Sequence, residues 1–241
     1  MDSVLHAGTG EGDYDRLIHS FARRLVSCDI DEHDIDYACR LNADLSGLEY
    51  RIEDVLDLSF VDHSFDLIIA IDVIEHVSDS GAMMREVGRV LKPGGIAIIS
   101  FPSLDFPFTY DPINRLLSFF DLHLPLGAYA FGHFKLLNPA IFNDYLLGSS
   151  FSTLRKQGLT SYLAAATEMY WPGVLQRMLK ANSTNQLSED RKTFKLRPTS
   201  SPPPFLFVVD WFIRLDRYLF SRCKASVGLA YVIQKSAEFE P

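Results

Sequence analysis

The stretch "SVLHAGTGEGDYDRL" at residues 3–17 sets the tightest limit on the fold: a short apolar run breaks at Gly8, Gly10 and Gly12 and then resumes. Glycine tolerates positive φ and lets backbone approach a ligand with no Cβ in the way, so a strand, a tight turn and a helix are expected in that order. After the turn, Tyr14, Leu17, Ile18, Phe21 and Leu25 recur at helical spacing, which predicts an amphipathic helix with its apolar face inward. Strand, glycine turn and helix together make the usual cradle for an adenosine-containing cofactor.

The alternation continues along the chain. "LVSCDI" (25–30) reads as a second strand and "DEHDIDYACRL" (31–41) as a helix whose acidic start suits the helix dipole. "LEYRIED" (48–54) reads as a third strand, and "FDLIIAIDVI" (65–74) has the near-continuous apolar run of a strand buried on both faces. "SDSGAMMREVGRVLKPGG" (78–95) predicts a helix capped by Ser78 or Asp79. Its buried stripe would be Met83, Met84, Val87, Val90 and Leu91, and Pro93 with Gly94 and Gly95 would stop it before the strand "IAIIS". Strands alternating with helices imply a parallel sheet with right-handed crossovers, hence a doubly wound, Rossmann-like α/β fold.

From Phe101 the texture changes to aromatic, proline-punctuated and irregular sequence, unlike a buried strand or a clean helix; it is read as an inserted helical and aromatic cap, whose rings either line a ligand pocket or form a core beneath the cap. "LNPAIFNDYLLGSS" (137–150) reads as a helix, "FSTLRKQGL" (151–159) as a strand, and residues 161–180 as helical on both sides of Pro172. Residues 181–204 read as a long mobile loop, "FLFVVDWFIRLDRYLFSR" (205–222) as a strongly apolar helix and "VGLAYVIQKS" (227–236) as the last strand. The expected division is a cofactor-binding α/β core at 1–102, an acceptor-side elaboration at 103–222, and a final edge strand with its tail at 223–241.

Composition narrows the function classes. The net charge of −8 argues against broad binding to a nucleic-acid backbone, so no nucleic-acid partner is expected. Cys28, Cys39 and Cys223 fit neither a disulfide framework nor a zinc spacing, which points to a reducing compartment. With neither a signal-peptide pattern nor an apolar run of roughly 20 residues, the expected location is the cytoplasm.

The glycine pattern selects among adenosine cofactors. The dinucleotide fingerprint G-x-G-x-x-G would want glycine at position 13, where this chain has Asp13. Glu11 and Asp13 would also place carboxylates where a pyrophosphate sits, and no Gly-Lys-Ser/Thr follows for a phosphate loop. The loop therefore favours a cofactor without phosphates and with positive charge, a description that S-adenosylmethionine (SAM), a sulfonium, fits. Asp29 falls at the end of the second strand, where a carboxylate can accept from both ribose hydroxyls. Asp54 ends the third strand, placed to accept from an adenine amino group.

"VLHAGTGEG", "CDID", "RIEDVLDLSFVDHSFDLIIAIDVIEHV" and "EVGRVLKPGGIAIISFP" resemble the successive motifs of class I SAM-dependent methyltransferases, in particular the small-molecule group that includes the ubiquinone-biosynthesis O-methyltransferases. The resemblance is good over residues 3–102 and implies a seven-stranded sheet with the last strand antiparallel at an edge. It further implies that Gly8, Thr9, Gly10 and Gly12 line the methionine part of SAM. Asp29 and Ile30 would hold the ribose, Asp54 and Val55 the adenine, and Ile71 with Asp72 would lie under the methyl-bearing end. One departure stands out: His6 occupies a position where the family usually carries an acid that helps anchor the amino group of SAM. The chain also begins almost at the first strand, where family members usually carry a covering helix or two.

The implied activity is methyl transfer to oxygen or nitrogen of a small-molecule, glycan or lipid-linked acceptor. For a hydroxyl acceptor a base must remove the proton, and His76 and His133 are the candidates. Asp72, Glu75, His76 and His133 could also hold a divalent ion, but Asp72 is more simply a SAM-proximal acid and no metal is assigned. Residues 205–222 are read as a helix buried against the sheet or a partner chain, as in a homodimer, with peripheral membrane contact through Trp211 and Tyr218 as the alternative. A SAM-binding subunit without catalysis is the alternative to an enzyme, and a NAD-dependent oxidoreductase is disfavoured by the absent third fingerprint glycine.

Overall fold

The computed structural model describes residues 1–103, 119–120, 137–147, 150–159, 206–220 and 226–237. In chain order its elements are β1 (Ser3–Ala7), α1 (Asp15–His19), β2 (Arg24–Asp29), α2 (Glu32–Leu41), β3 (Leu48–Ile52), β4 (Phe65–Ile71), α3 (Ser80–Val90) and β5 (Leu91–Pro102). They are followed by α4 (Pro139–Leu147), β6 (Phe151–Gly158), α5 (Leu206–Leu219) and β7 (Gly228–Lys235). The strands form one seven-stranded sheet in the order β3-β2-β1-β4-β5-β7-β6. Strands β1 to β5 run parallel, and β7 is antiparallel to both of its neighbours. The expected doubly wound sheet with an antiparallel last strand is therefore present. Its placement differs in one respect: β7 lies between β5 and β6, so the edge strand on that side is β6.

The two faces of the sheet carry separate cores, as the period-two geometry of strands requires. On one face Leu5, Val26, Ile68 and Ile99 pack with Met83, Met84 and Val87 of α3. On the other, Val4, Leu25, Leu67 and Ile69 pack with Ile18 of α1. Phe101, Phe142 and Tyr231 stack where β5, α4 and β7 meet, with ring centroids 4.6–5.7 Å apart. Asp79 caps α3 by accepting from the Ala82 N–H at 3.0 Å, and Asp31 caps α2 by accepting from His33 at 2.8 Å.

Three local expectations are corrected. The helix after the glycine turn is only Asp15–His19; Tyr14, Leu17 and Phe21 are exposed and Leu25 belongs to β2, so Ile18 alone carries its apolar contact. The apolar recurrence there spans a helix, a turn and a strand, because Leu25 is held in the sheet beside Val4 and Leu48. Helix α3 stops at Val90, and Leu91 opens β5 opposite Phe65, so "KPGG" lies within the strand at a register shift rather than in a linker. Strand β4 ends at Ile71, and Asp72–Ile74 turn away from the sheet. Helix α5 exposes Asp210, Arg214 and Arg217, the polar stripe that its sequence carries, together with Trp211 and Tyr218 beside it, and buries Asp216. The mobile loop expected at 181–204 and most of the aromatic stretch after Ser103 lie outside the described residues.

Candidate active site

Strand order reverses between β1 and β4, since the chain leaves β1 towards β2 and leaves β4 towards β5. In a doubly wound sheet this switch point opens a crevice at the carboxyl ends of the strands, where ligands bind. The loops flanking it are Gly8–Gly12 after β1 and Asp72–Asp79 after β4. They touch at Gly8, which has φ +73° and where a Cβ would lie 2.3 Å from Val73 Cγ2. Only glycine permits that approach. Gly10, with φ +54°, is different: a Cβ there would meet nothing within 4 Å, so its Cα borders open space.

The loop is held from below by β2. The Cys28 carbonyl accepts from the Gly8 and Thr9 N–H groups at 2.8 and 2.9 Å, and Asp29 Oδ2 accepts from the Gly10 N–H at 2.8 Å. Asp29 Oδ1 accepts from the Asp31 N–H at 3.1 Å, which leaves a second lone pair on each carboxylate oxygen. Ile30, beside it, is exposed. Beyond β3, Asp54 is exposed and its Oδ1 accepts from the Leu56 N–H at 2.9 Å, while Val55 is buried. The glycine loop, Asp29 and Asp54 thus belong to three consecutive loops at the same end of the sheet.

The β4 side is more strained. Asp72 has φ +53°, a left-handed conformation uncommon for a non-glycine residue, and is clamped to β5. Its N–H lies 3.2 Å from both the carbonyl and Oγ of Ser100, and Ser100 Oγ donates to Asp72 Oδ1 at 2.9 Å. Burial pushes the Asp72 carboxyl above its usual range. Glu75 is buried with no hydrogen-bond partner for either carboxylate oxygen among the described residues. Burial and the neighbouring Asp72 charge push it up to about 8. His76 is held in the same turn, its N–H donating to the Val73 carbonyl at 2.9 Å. His133 lies outside the described residues. Among the described residues no group of three or more His, Cys, Asp and Glu side chains comes together as a cation site.

Residues 5–99, which contain both loops, match the family described as methyltransferase domain. By this match that segment is a methyltransferase domain, similar to class I SAM-dependent methyltransferases. A ubiquinone biosynthesis O-methyltransferase of Mesorhizobium japonicum is 27% identical over 169 residues, covering 65% of this chain and 62% of the relative. Phosphoethanolamine N-methyltransferase 1 of Arabidopsis thaliana is 33% identical over 94 residues, covering 39% of this chain and 19% of that one. The chain spans 38%, 62% and 35% of the length of three curated relatives it matches. Among solved structures, N-methyltransferase NodS of Bradyrhizobium japonicum, in complex with S-adenosyl-l-homocysteine, has a TM-score of 0.51 at 15% identity, covering 68% of this chain and 72% of that chain. The [4+2]-cyclase SpnF shares the fold with a TM-score of 0.60 at 13% identity, covering 98% of this chain and 75% of that one.

In this methyltransferase domain the most buried charged residue is one that motif reading passes over. Asp15, fully buried at the start of α1, accepts four hydrogen bonds: from His6 Nδ1 at 2.6 Å, Thr9 Oγ1 and Ser27 Oγ at 2.8 Å each, and the Tyr50 hydroxyl at 2.7 Å. Burial pushes its carboxyl up, but the hydrogen bond and charge of His6, with Tyr50 and Ser27, bring it below the ordinary range. The sequence did hold a signal. His6, Ser27 and Tyr50 are in register across β1, β2 and β3, a row of polar residues pointing to one side of the sheet that calls for a shared partner.

Proposed function

We propose that this protein transfers the methyl group of SAM to oxygen or nitrogen of a small-molecule acceptor, with glycan and lipid-linked acceptors in the same class. The observation that carries the reading is the glycine loop itself: Gly10 borders open space while its N–H is tied to the acid at the end of β2. A loop with that space, and with acids rather than glycine at positions 11 and 13, suits a cationic adenosine ligand over a pyrophosphate. The site's chemistry fits the cofactor that the family name implies.

In this reading Gly8, Thr9, Gly10 and Gly12 receive the amino-acid portion, and the spare lone pairs of Asp29 accept from the ribose hydroxyls, with Ile30 alongside. Asp54 and Val55 receive the adenine, and Ile71 and Asp72 face the reacting end. Bound SAM supplies an electrophilic methyl group on its sulfonium. The protein's task is to hold the acceptor atom in line with that bond and, for a hydroxyl, to take its proton. His76, in the turn after β4, is the base proposed here, with His133 the alternative. The names of the relatives, an O-methyltransferase and an N-methyltransferase among them, support a small-molecule acceptor without selecting one.

The test uses SAM labelled in its methyl group, the purified protein and an extract of its native cells, fractionated into aqueous, organic-soluble, protein and RNA pools. Label in the small aqueous or organic fraction above the protein-free control is expected. Label confined to RNA or protein would overturn the acceptor class. SAM binding with no label in any pool would leave a non-catalytic SAM-binding subunit, the reading that His6 in place of the family's acid favours.

A further inference from the structure

Two non-glycine residues among those described have positive φ, His63 and Asp72. Such a backbone persists only where its surroundings enforce it, and it gathers at binding and catalytic sites. His63 precedes β4, at the amino end of the strand, whereas Asp72 follows β4 at the switch-point crevice. What enforces the conformation there is Ser100. That residue is buried on β5, between Ile71 of β4 and Ala230 of β7. Its Oγ donates to Asp72 Oδ1 at 2.9 Å and accepts from the Asp72 N–H at 3.2 Å, so one hydroxyl holds side chain and backbone together.

The clamp also sets where the carboxylate faces. The glycine loop, Asp29 and Asp54 follow β1, β2 and β3, which fill the sheet on one side of β4; β5 lies on the other. A carboxylate bonded to Ser100 is drawn towards β5, away from the three loops read as the cofactor's cradle. Protein packs around Asp72 closely enough to raise its carboxyl, yet the residue is exposed to solvent, as a group lining the wall of a crevice is. His76, the base proposed above, is also exposed and lies near enough for its charge to act on Asp72. Among the described residues nothing donates to Asp72 Oδ2.

We propose that Asp72 binds the methyl acceptor rather than SAM: Oδ2 accepts from a hydroxyl or amine hydrogen of the acceptor, and Ser100 holds the carboxylate in place for it. Such a bond fixes the acceptor beside His76, so the atom to be methylated is held on the β5 side of the crevice and meets the cofactor from there. Asp72 makes the contact; Ser100 acts through Asp72 and is a positioning residue. The proposal rests on the methyl-transfer reading.

Two readouts on the full chain separate an acceptor contact from a cofactor contact or a structural one. The variant Asp72→Asn keeps an oxygen for Ser100 and tolerates the left-handed backbone, while an NH2 that can only donate replaces Oδ2. Calorimetric titration with SAM should give the wild-type affinity. Transfer of label from methyl-labelled SAM into the small-molecule pool of a native-cell extract is then followed over a dilution series of the extract. Asp72→Asn should need about tenfold more extract for its half-maximal rate, the size expected for a lost hydrogen bond to a charged group. Ser100→Ala should raise that requirement too, and the double variant should be no worse than Asp72→Asn, since Ser100 works only through Asp72. Thermal unfolding is recorded for each variant, and should Ser100→Ala not fold, Asp72→Asn decides alone. SAM affinity falling in step with transfer would make Asp72 a cofactor ligand and overturn the proposal, as would an unchanged extract requirement. Wild type that binds SAM but moves no label would instead defeat the methyl-transfer reading on which the proposal stands.

Discussion

Two carboxyls at the crevice make opposite demands on the fold. Asp29 has both oxygens engaged by backbone N–H groups and retains lone pairs for a ligand. Asp29→Ala should therefore weaken SAM binding by about 1–3 kcal/mol, the cost of ligand hydrogen bonds left unmade. Equilibrium dialysis would check this, and unchanged affinity would mean the ribose lies elsewhere. Glu75 has no such partners and is pushed up from an ordinary 4.5 to about 8. A raised value means that the folded chain holds the proton more tightly than the unfolded chain. Glu75 thus costs nothing below about pH 4.5, and its destabilising effect grows as pH rises towards 8. Glu75→Gln mimics the protonated form and should stabilise by roughly 3 kcal/mol at pH 7, raising Tm by several degrees there and leaving it unchanged at pH 4. Equal melting shifts at pH 4 and pH 8 would show that ionisation is not the cause.

The glycine turn separates two kinds of requirement within one loop. Gly8→Ala would set a Cβ 2.3 Å from Val73 Cγ2 at positive φ, forcing the loops after β1 and β4 apart. It should lower Tm and SAM affinity together. Gly10→Ala meets no atom within 4 Å, so apart from a left-handed penalty of about 1 kcal/mol it should spare the fold and fill the space a ligand needs. A fall in affinity with little change in Tm is expected, and the reverse pattern would contradict the cradle. At α3, Asp79→Ala removes the one side-chain cap and should cost about 1 kcal/mol by chemical denaturation.

These elements also mark how far the sequence could be read. Strands β2 to β4 and helix α2 declared themselves because apolar runs bounded by acids and turn residues map directly onto buried strands and capped helices. Helix α1 did not. A sequence period cannot distinguish one long helix from a short helix, a turn and a strand whose apolar residues happen to share the spacing, and only the register of Leu25 with Val4 and Leu48 resolves it. Asp15 was hidden for a related reason: its partners lie on three other segments that only the sheet brings together. Asp72 was legible as an acid at the end of a strand, but its left-handed backbone depends on the clamp from Ser100, 28 residues further along the chain. In α5 the exposed residues Asp210, Trp211, Arg214, Arg217 and Tyr218 recur at helical spacing, so that face was legible as a polar stripe, whereas the exposure of two large aromatic side chains on it was not.

At the scale of the whole molecule, β1 to β5 with their helices build the switch-point crevice, and β7 and β6 complete the sheet beyond β5. No helix among the described residues is long and apolar enough to cross a membrane. The sequence carries a net charge of −8, which disfavours broad binding to polyanions. The fold is shared by a solved [4+2]-cyclase, so the activity has to be decided at the site rather than from the sheet. The most direct measurement is a calorimetric titration of the full chain with SAM and, separately, with NAD. The account predicts saturable binding of SAM to one site, with NAD producing no saturable heat. Saturation by NAD, or its absence with SAM, would contradict the assignment of the crevice.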